Sequence, residues 1–170
     1  MQRSIMKPYA LFAAALVSMA PRAAAADTLG ELHFQFDSAR LPVHASDELS
    51  RTASVAADHP EMRIVLDAHC DPIGTQAYNV GLAVRRAESV RSRLIAMGVP
   101  ADQIVFAVYG EAGADRPTYA DDRRVTVWAT REPLADVVDR TFDASGTAVT
   151  WNEPLTTAQI DAAPQPVASR

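Results

Sequence analysis

Cysteine is nearly absent: the 170-residue chain contains one, Cys70. A lone thiol excludes an internal disulfide, so core packing must hold the fold by itself. Lysine is scarcer than usual as well, with Lys7 its only instance. Also missing is a hydrophobic run of the about 20 residues that a helix needs to cross a bilayer. The apolar stretch Ala10–Ala20 is too short for that and has the wrong flanks. With Arg3 and Lys7 before it and the small residues Ala23–Ala26 after it, residues 1–26 read as a cleavable secretory leader cut after Ala26. No cysteine follows that cut, so a lipid anchor is not expected.

An excess of positive charge is lacking too. The whole chain carries a formal charge of −5, and removing Arg3, Lys7 and Arg22 with the leader leaves 13 basic residues against 21 acidic ones, net −8. Such a surface repels nucleic acid and anionic membranes overall, which disfavours them as main partners but leaves room for a local arginine site. The mature length suits one domain with a modest core.

Hydrophobic periodicity gives the order of elements. Leu32, Phe34 and Phe36 alternate with polar residues as a half-buried strand. Ala45, Leu49, Ala53 and Ala56 recur at helical spacing from Ala45 to Asp58, where His59-Pro60 stops the helix. Met62, Ile64, Leu66 and Ala68 alternate as a second strand ending at His69-Cys70-Asp71, with a turn at Gly74. A long helix spans about Ala77 to Met97, closed by Gly98. Ile104–Tyr109 is a continuous apolar strand, residues 110–122 are a loop, and Arg124–Thr130 is a last strand. This β-α-β-α-β-β order predicts an α+β sandwich, a mixed sheet with helices packed on one face. The domain is expected to cover 27–132. A C-terminal extension follows over 133–161, read as a possible β-hairpin around the turn signal at Asp143–Gly146, and then a disordered tail over 162–170.

Two residues stand out chemically. Asp71 falls in the turn after the second strand, at the carboxyl edge of the sheet where open α/β sheets build ligand sites. At about 100° per residue, Arg86 falls within the apolar stripe of the long helix, so its guanidinium must find a partner or stay desolvated at a cost. Asn79 shares that face, two turns nearer the Asp71 turn. A carboxylate and a guanidinium at one rim, with backbone donors at Gly74, suit a zwitterionic amino acid. The alternative is that Asp71 and Arg86 pair with each other as a structural bridge.

The stretches FQFDSARL at 34–41, AHCDPIGTQAYNVGLAVRRAESV at 68–90, GE at 110–111 and DRRV at 122–125 carry a resemblance over Phe34 to Val127. Their order and spacing resemble the OmpA-like peptidoglycan-binding domain shared by outer-membrane anchors, the Pal lipoprotein and flagellar-motor stators. The resemblance implies a periplasmic protein that binds the wall without catalysis. It implies that Asp71 holds the ammonium, and Arg86 the carboxylate, of diaminopimelate in the stem peptide. Asn79 and Leu82 match family positions, Ile73 and Gly74 form the adjoining turn, and Arg124 matches a family arginine near the site. Ala68, Cys70 and Ala83 stand where the family has glycine, threonine and serine, which implies a weakened but competent site. The alternative function is an interaction subunit of an envelope assembly, bound to a protein partner, with vestigial wall binding.

Other chemistries are disfavoured. Strand alternation sends His69 and Asp71 to one face and Cys70 to the other, and no second ligand cluster follows at metal spacing. Neither a metal nor a cofactor is expected. The same geometry separates Cys70 from His69 as nucleophile and base, against a wall-processing enzyme. His33, His44 and His59 are scattered and read as structural or solvated.

Overall fold

A computed structural model describes residues 27–145 and 149–151. The expected leader and the expected disordered tail lie outside the described residues. Strand β1 spans Asp27–His33, helix α1 Ala45–Asp58, β2 Arg63–His69, α2 Gln76–Ala96, β3 Ile104–Gly110, α3 Tyr119–Asp122, β4 Arg124–Thr130, α4 Leu134–Ser145 and β5 Val149–Trp151. The sheet order is β1-β4-β2-β3-β5. β2 and β3 run parallel, and the other neighbours are antiparallel. This is the mixed α+β architecture that the periodicity predicts.

The strongest patterns set the element bounds. α1 buries Ala45, Leu49, Thr52 and Ala56, a single stripe, and ends where His59 N–H donates to the Val55 carbonyl. α2 starts at Thr75, whose hydroxyl accepts from Tyr78 N–H at 3.2 Å, a side-chain cap for one of the orphan donors of its first turn. Gly98, at φ +96°, lets the chain leave the other end. Central strand β2 buries Ile64, Val65 and Leu66 in succession because both faces of the sheet are covered. On one face, α1 and α2 close over Leu32, Ile64, Leu66, Phe106, Val108, Val125 and Val127.

The other face departs from expectation. The hairpin predicted between Val137 and Trp151 does not form. Leu134–Ser145 is helical, and β5 pairs with β3 instead of with a strand of its own. Leu134, Val137, Val138 and Phe142 recur at helical rather than alternating spacing, and Pro133 suits the position just before a first turn. The turn signal at Asp143 marks the end of this helix. Val137 packs with Val65, Val105, Ala107 and Trp128, so α4 adds a second, smaller core beyond the predicted helical layer. The segment expected as an appended extension thus completes the sheet. Two further pieces lie between the predicted elements: a short 3₁₀ turn at Ala101–Gln103, and α3 within the 110–122 loop. β1 also begins and ends earlier than predicted, which leaves Phe36 58% exposed rather than half-buried in a strand. No helix among the described residues is long and apolar enough to cross a membrane.

Removal of the Phe106 ring, fully buried in the main core, should lower unfolding free energy by about 3–5 kcal/mol in Phe106→Ala. Urea denaturation followed by circular dichroism checks this. Val138→Ala, on the outer side of α4, should stay within about 0.5 kcal/mol of wild type.

Candidate functional site

The site forms where β2 and β3 end together. Pairing between them slips in register after Ala68, so His69 lies opposite Gly110, and Cys70 N–H donates to the Gly110 carbonyl at 2.7 Å. Alternation along β2 holds through Cys70, with Ala68 and Cys70 in the main core and His69 on the other side, and it stops there because Asp71 lies past the strand end, in the turn. His69 stacks on Tyr109, centroids 4.6 Å apart, while Cys70 joins the main core and Asp71 turns into a cleft beside it. His69 and Asp71 therefore do not share an environment, and Cys70 and Asp71 do.

Arg86 reaches the same cleft from α2. It is 0% exposed. Its Nε donates to the Ser38 carbonyl at 3.0 Å, Nη1 to the His69 carbonyl at 2.9 Å and Nη2 to the Gln35 carbonyl at 3.2 Å. Nη1 also meets Cys70 Sγ at 3.3 Å, and the group lies 5.3 Å from the Phe34 ring centroid. Burial pulls the Arg86 pKa down, an effect that Cys70 and then Asp71 oppose only in part. Among the described residues, no carboxylate lies within 4.0 Å of Arg86. The structural bridge between Asp71 and Arg86 is therefore not formed.

Asp71 is held otherwise. Its Oδ1 accepts from Ile73 N–H at 3.2 Å, and its Oδ2 accepts from Arg123 Nη1 at 3.0 Å. Asp71, Ile73, Asn79, Leu82 and Arg86 all line one narrow cleft of about 20 Å³. Gly74 turns the chain beside it at φ +116°, where an added Cβ would come within 3.3 Å of the Tyr78 ring. Asn79 Nδ2 donates to Glu111 Oε2 at 2.6 Å, and Ile73 stands exposed at the rim.

Arg124 is the exception. Its guanidinium lies by Glu31 at 3.6 Å and Asp122 at 3.8 Å, away from the cleft. The cleft opens on the helix-covered side of the sheet, so the residue that enters it shares the parity of Val125 and Val127, and that is Arg123. Three other lining residues escaped the sequence reading: Phe36, Asp37 and Tyr78. The Tyr78 hydroxyl donates to Asp37 Oδ1, and Asp37 adopts φ +51°, a left-handed conformation that Asp tolerates better than most residues. The Asp37-Ser38 turn signal was the available clue.

Cys70 has little nucleophilic character. Burial pushes its pKa up to about 11, and Sγ donates to the Asn79 carbonyl at 3.2 Å. Among the described residues, no group of three or more His, Cys, Asp or Glu side chains is placed to hold a metal ion.

The family model described as OmpA matches residues 33–126. The chain belongs to the OmpA family. This OmpA-family chain is 34% identical over 80 residues to the peptidoglycan-associated lipoprotein of Rhizobium meliloti, covering 47% of itself and 46% of that protein. It is 33% identical over 107 residues to the peptidoglycan-associated lipoprotein of Pseudomonas aeruginosa, covering 60% and 63%. The chain thus spans about half to two thirds of the length of these relatives. Its fold superposes on the crystal structure of the peptidoglycan-associated lipoprotein from Burkholderia pseudomallei with a TM-score of 0.53 at 30% identity, over 59% of this chain and 89% of that one. The periplasmic domain of Helicobacter pylori MotB gives a TM-score of 0.52 at 20% identity, over 66% and 76%, a likeness of fold.

His69 and its neighbour Asp67 on the second face predict opposed pH effects. Burial, followed by the charge of Arg124, pulls the His69 pKa from 6.5 down to about 3, while burial raises that of Asp67 from 3.8 to about 6. Native His69 refuses a proton that the unfolded chain accepts, so its contribution is lost as pH falls from 6.5 toward 3. Native Asp67 keeps a proton that the unfolded chain releases, so its contribution is lost as pH rises from 3.8 through 6. Between pH 4 and 6 the two slopes offset. His69→Phe should then become more stable on acidification from pH 6 to 4, by up to about 1.4 kcal/mol per pH unit, and Asp67→Asn less stable. Urea midpoints at pH 4, 5 and 6 check both signs.

Proposed function

We propose that this OmpA-family domain binds peptidoglycan non-covalently, without catalysis, through the side-chain end of diaminopimelate in the stem peptide. Arg86 receives the carboxylate and Asp71 the ammonium. In this role the domain tethers a periplasmic protein or assembly to the cell wall, after export directed by residues 1–26. The observation that carries the reading is the Arg86 guanidinium: fully buried beside the cleft, bonded to three neutral carbonyls, with no carboxylate among its described partners. A cation so placed attracts an anionic group strongly because little water screens it. The relatives named peptidoglycan-associated lipoproteins support the wall as the source of that group. Leu82 gives the cleft an apolar wall for a methylene chain, and Ile73 and Asn79 frame the ammonium end. The raised pKa and internal hydrogen bonds of Cys70 support binding over acyl-transfer chemistry.

A second reading draws on the Asp71–Arg123 pair, which already occupies the carboxylate. In that reading wall binding is vestigial and the domain serves as an interaction subunit of an envelope assembly. Retention on purified sacculi separates the two. Wild type should be retained, and Asp71→Asn and Arg86→Lys should each weaken binding on the order of tenfold or more, the worth of one charge-assisted hydrogen bond. Circular dichroism on each variant confirms folding. Retention indifferent to both substitutions sinks the diaminopimelate reading and favours the assembly role.

A second measurement addresses the ligand. Amidation of the diaminopimelate side-chain carboxylate should weaken binding of a muropeptide, since Arg86 then meets a neutral group. Calorimetry with the free and amidated peptides checks this, and equal affinities count against the role of Arg86.

A further inference from the structure

The cleft contains its own counter-ion for Asp71. Arg123 Nη1 lies 3.0 Å from Asp71 Oδ2, and Arg123 Nε donates to the Phe34 carbonyl at 3.2 Å. The two partners differ in their surroundings. The Asp71 side chain is 5% exposed and its second oxygen is fixed by Ile73 N–H, whereas the Arg123 side chain is 17% exposed. Arg123 follows the short helix α3 and directs a flexible stem to the rim. Arg86, deeper in, commits nitrogen donors to three carbonyls and leaves Asp71 to Arg123. Two guanidinium groups thus line one cleft, and only the outer one is paired with Asp71.

We propose that Arg123 is an internal competitor for the cationic end of the ligand, holding Asp71 in the empty cleft and yielding it when a ligand ammonium enters. This inference rests on the reading of the cleft as a zwitterion site. It follows from the exchange that takes place. A ligand bringing only an ammonium trades one cation on Asp71 for another and gains no net ion pair. A ligand bringing only a carboxylate reaches Arg86 and leaves the Asp71–Arg123 pair as it was. A zwitterion replaces Arg123 on Asp71 and also supplies the anion that Arg86 lacks, so it gains a pair in total. Arg123 therefore selects against simple amines and lysine side chains at the cost of some affinity for the intended ligand. The displaced guanidinium is already near the rim and returns to water, where it is readily hydrated.

The test uses the mature protein, Arg123→Gln, and three synthetic stem peptides read by calorimetry. The first carries diaminopimelate, the second has lysine in its place, and the third has diaminopimelate acetylated on the side-chain amine. Arg123→Gln should bind the first on the order of tenfold more tightly than wild type does, the value of one charge-assisted contact no longer opposed. It should bind the lysine peptide measurably where wild type does not, and it should match wild type on the acetylated peptide. Its melting temperature should fall, because Asp71 has lost its partner. Equal or weaker binding of the diaminopimelate peptide by Arg123→Gln, with wild type binding normally, overturns the competitor role alone. Failure of both proteins to bind that peptide overturns the zwitterion reading and the competitor role with it. If Arg123→Gln does not fold, Arg123→Lys keeps a charge near Asp71 but loses the planar fork that joins it to the Phe34 carbonyl. An affinity between tenfold gain and none is then expected, and none or a loss overturns the proposal.

Discussion

The arrangement depends on one buried cation. Arg86 ties together three pieces of chain that no single element joins: the loop after β1 through the Gln35 and Ser38 carbonyls, the end of β2 through the His69 carbonyl, and α2 on which it sits. Carbonyls that leave the end of a strand lose their ladder partners, and when buried they need another donor. A guanidinium offers several donors in one plane, so it can satisfy them all. Lysine could not serve three directions with the same rigidity. Satisfying neutral carbonyls does not neutralise charge, however. The same geometry that fastens the rim of the sheet leaves a positive charge with no carboxylate within 4.0 Å of it among the described residues, in a place poor in water, and in the proposed role structural brace and binding group are one side chain.

The three residues that depart from the resembled pattern have defined surroundings. Cys70, in place of threonine, keeps a two-sided role: Sγ accepts from Arg86 and donates to the Asn79 carbonyl, as a hydroxyl would, over longer distances. Ala83 is fully buried within the main core, where a serine hydroxyl would need a partner of its own. Ala68 is likewise buried, in the strand rather than in the cleft.

What the sequence made legible followed periodicity. The bounds of α1 and β4 coincide with the reading from apolar spacing, and Arg86 was singled out because a charged residue broke the stripe of α2. The misreadings lie where periodicity stops. β2 ends at His69, so strand alternation gives no direction for Asp71, which the following turn carries into the cleft beside Cys70. Arg123 was passed over for Arg124, which was named from the resemblance; apolar alternation in β4 does not say which of its faces carries the opening. Phe36 followed an alternating pattern past the end of β1, into a turn that Asp37 forces through its positive φ. α4 was hidden by Val and Thr residues that favour strands locally, although their spacing fits the helix that the sheet's second face stabilises.

The pairing of β5 with β3 has a consequence for the molecule as a particle. Without it β3, a run of apolar residues parallel to β2, would stand as an open flank with free amide and carbonyl groups, the kind of template on which a second chain adds and fibrils or clumps begin. Among the described residues, Phe106 to Val108 are covered in this way, by a strand of three residues. The shortest of the described strands thus guards that flank against edge-to-edge pairing.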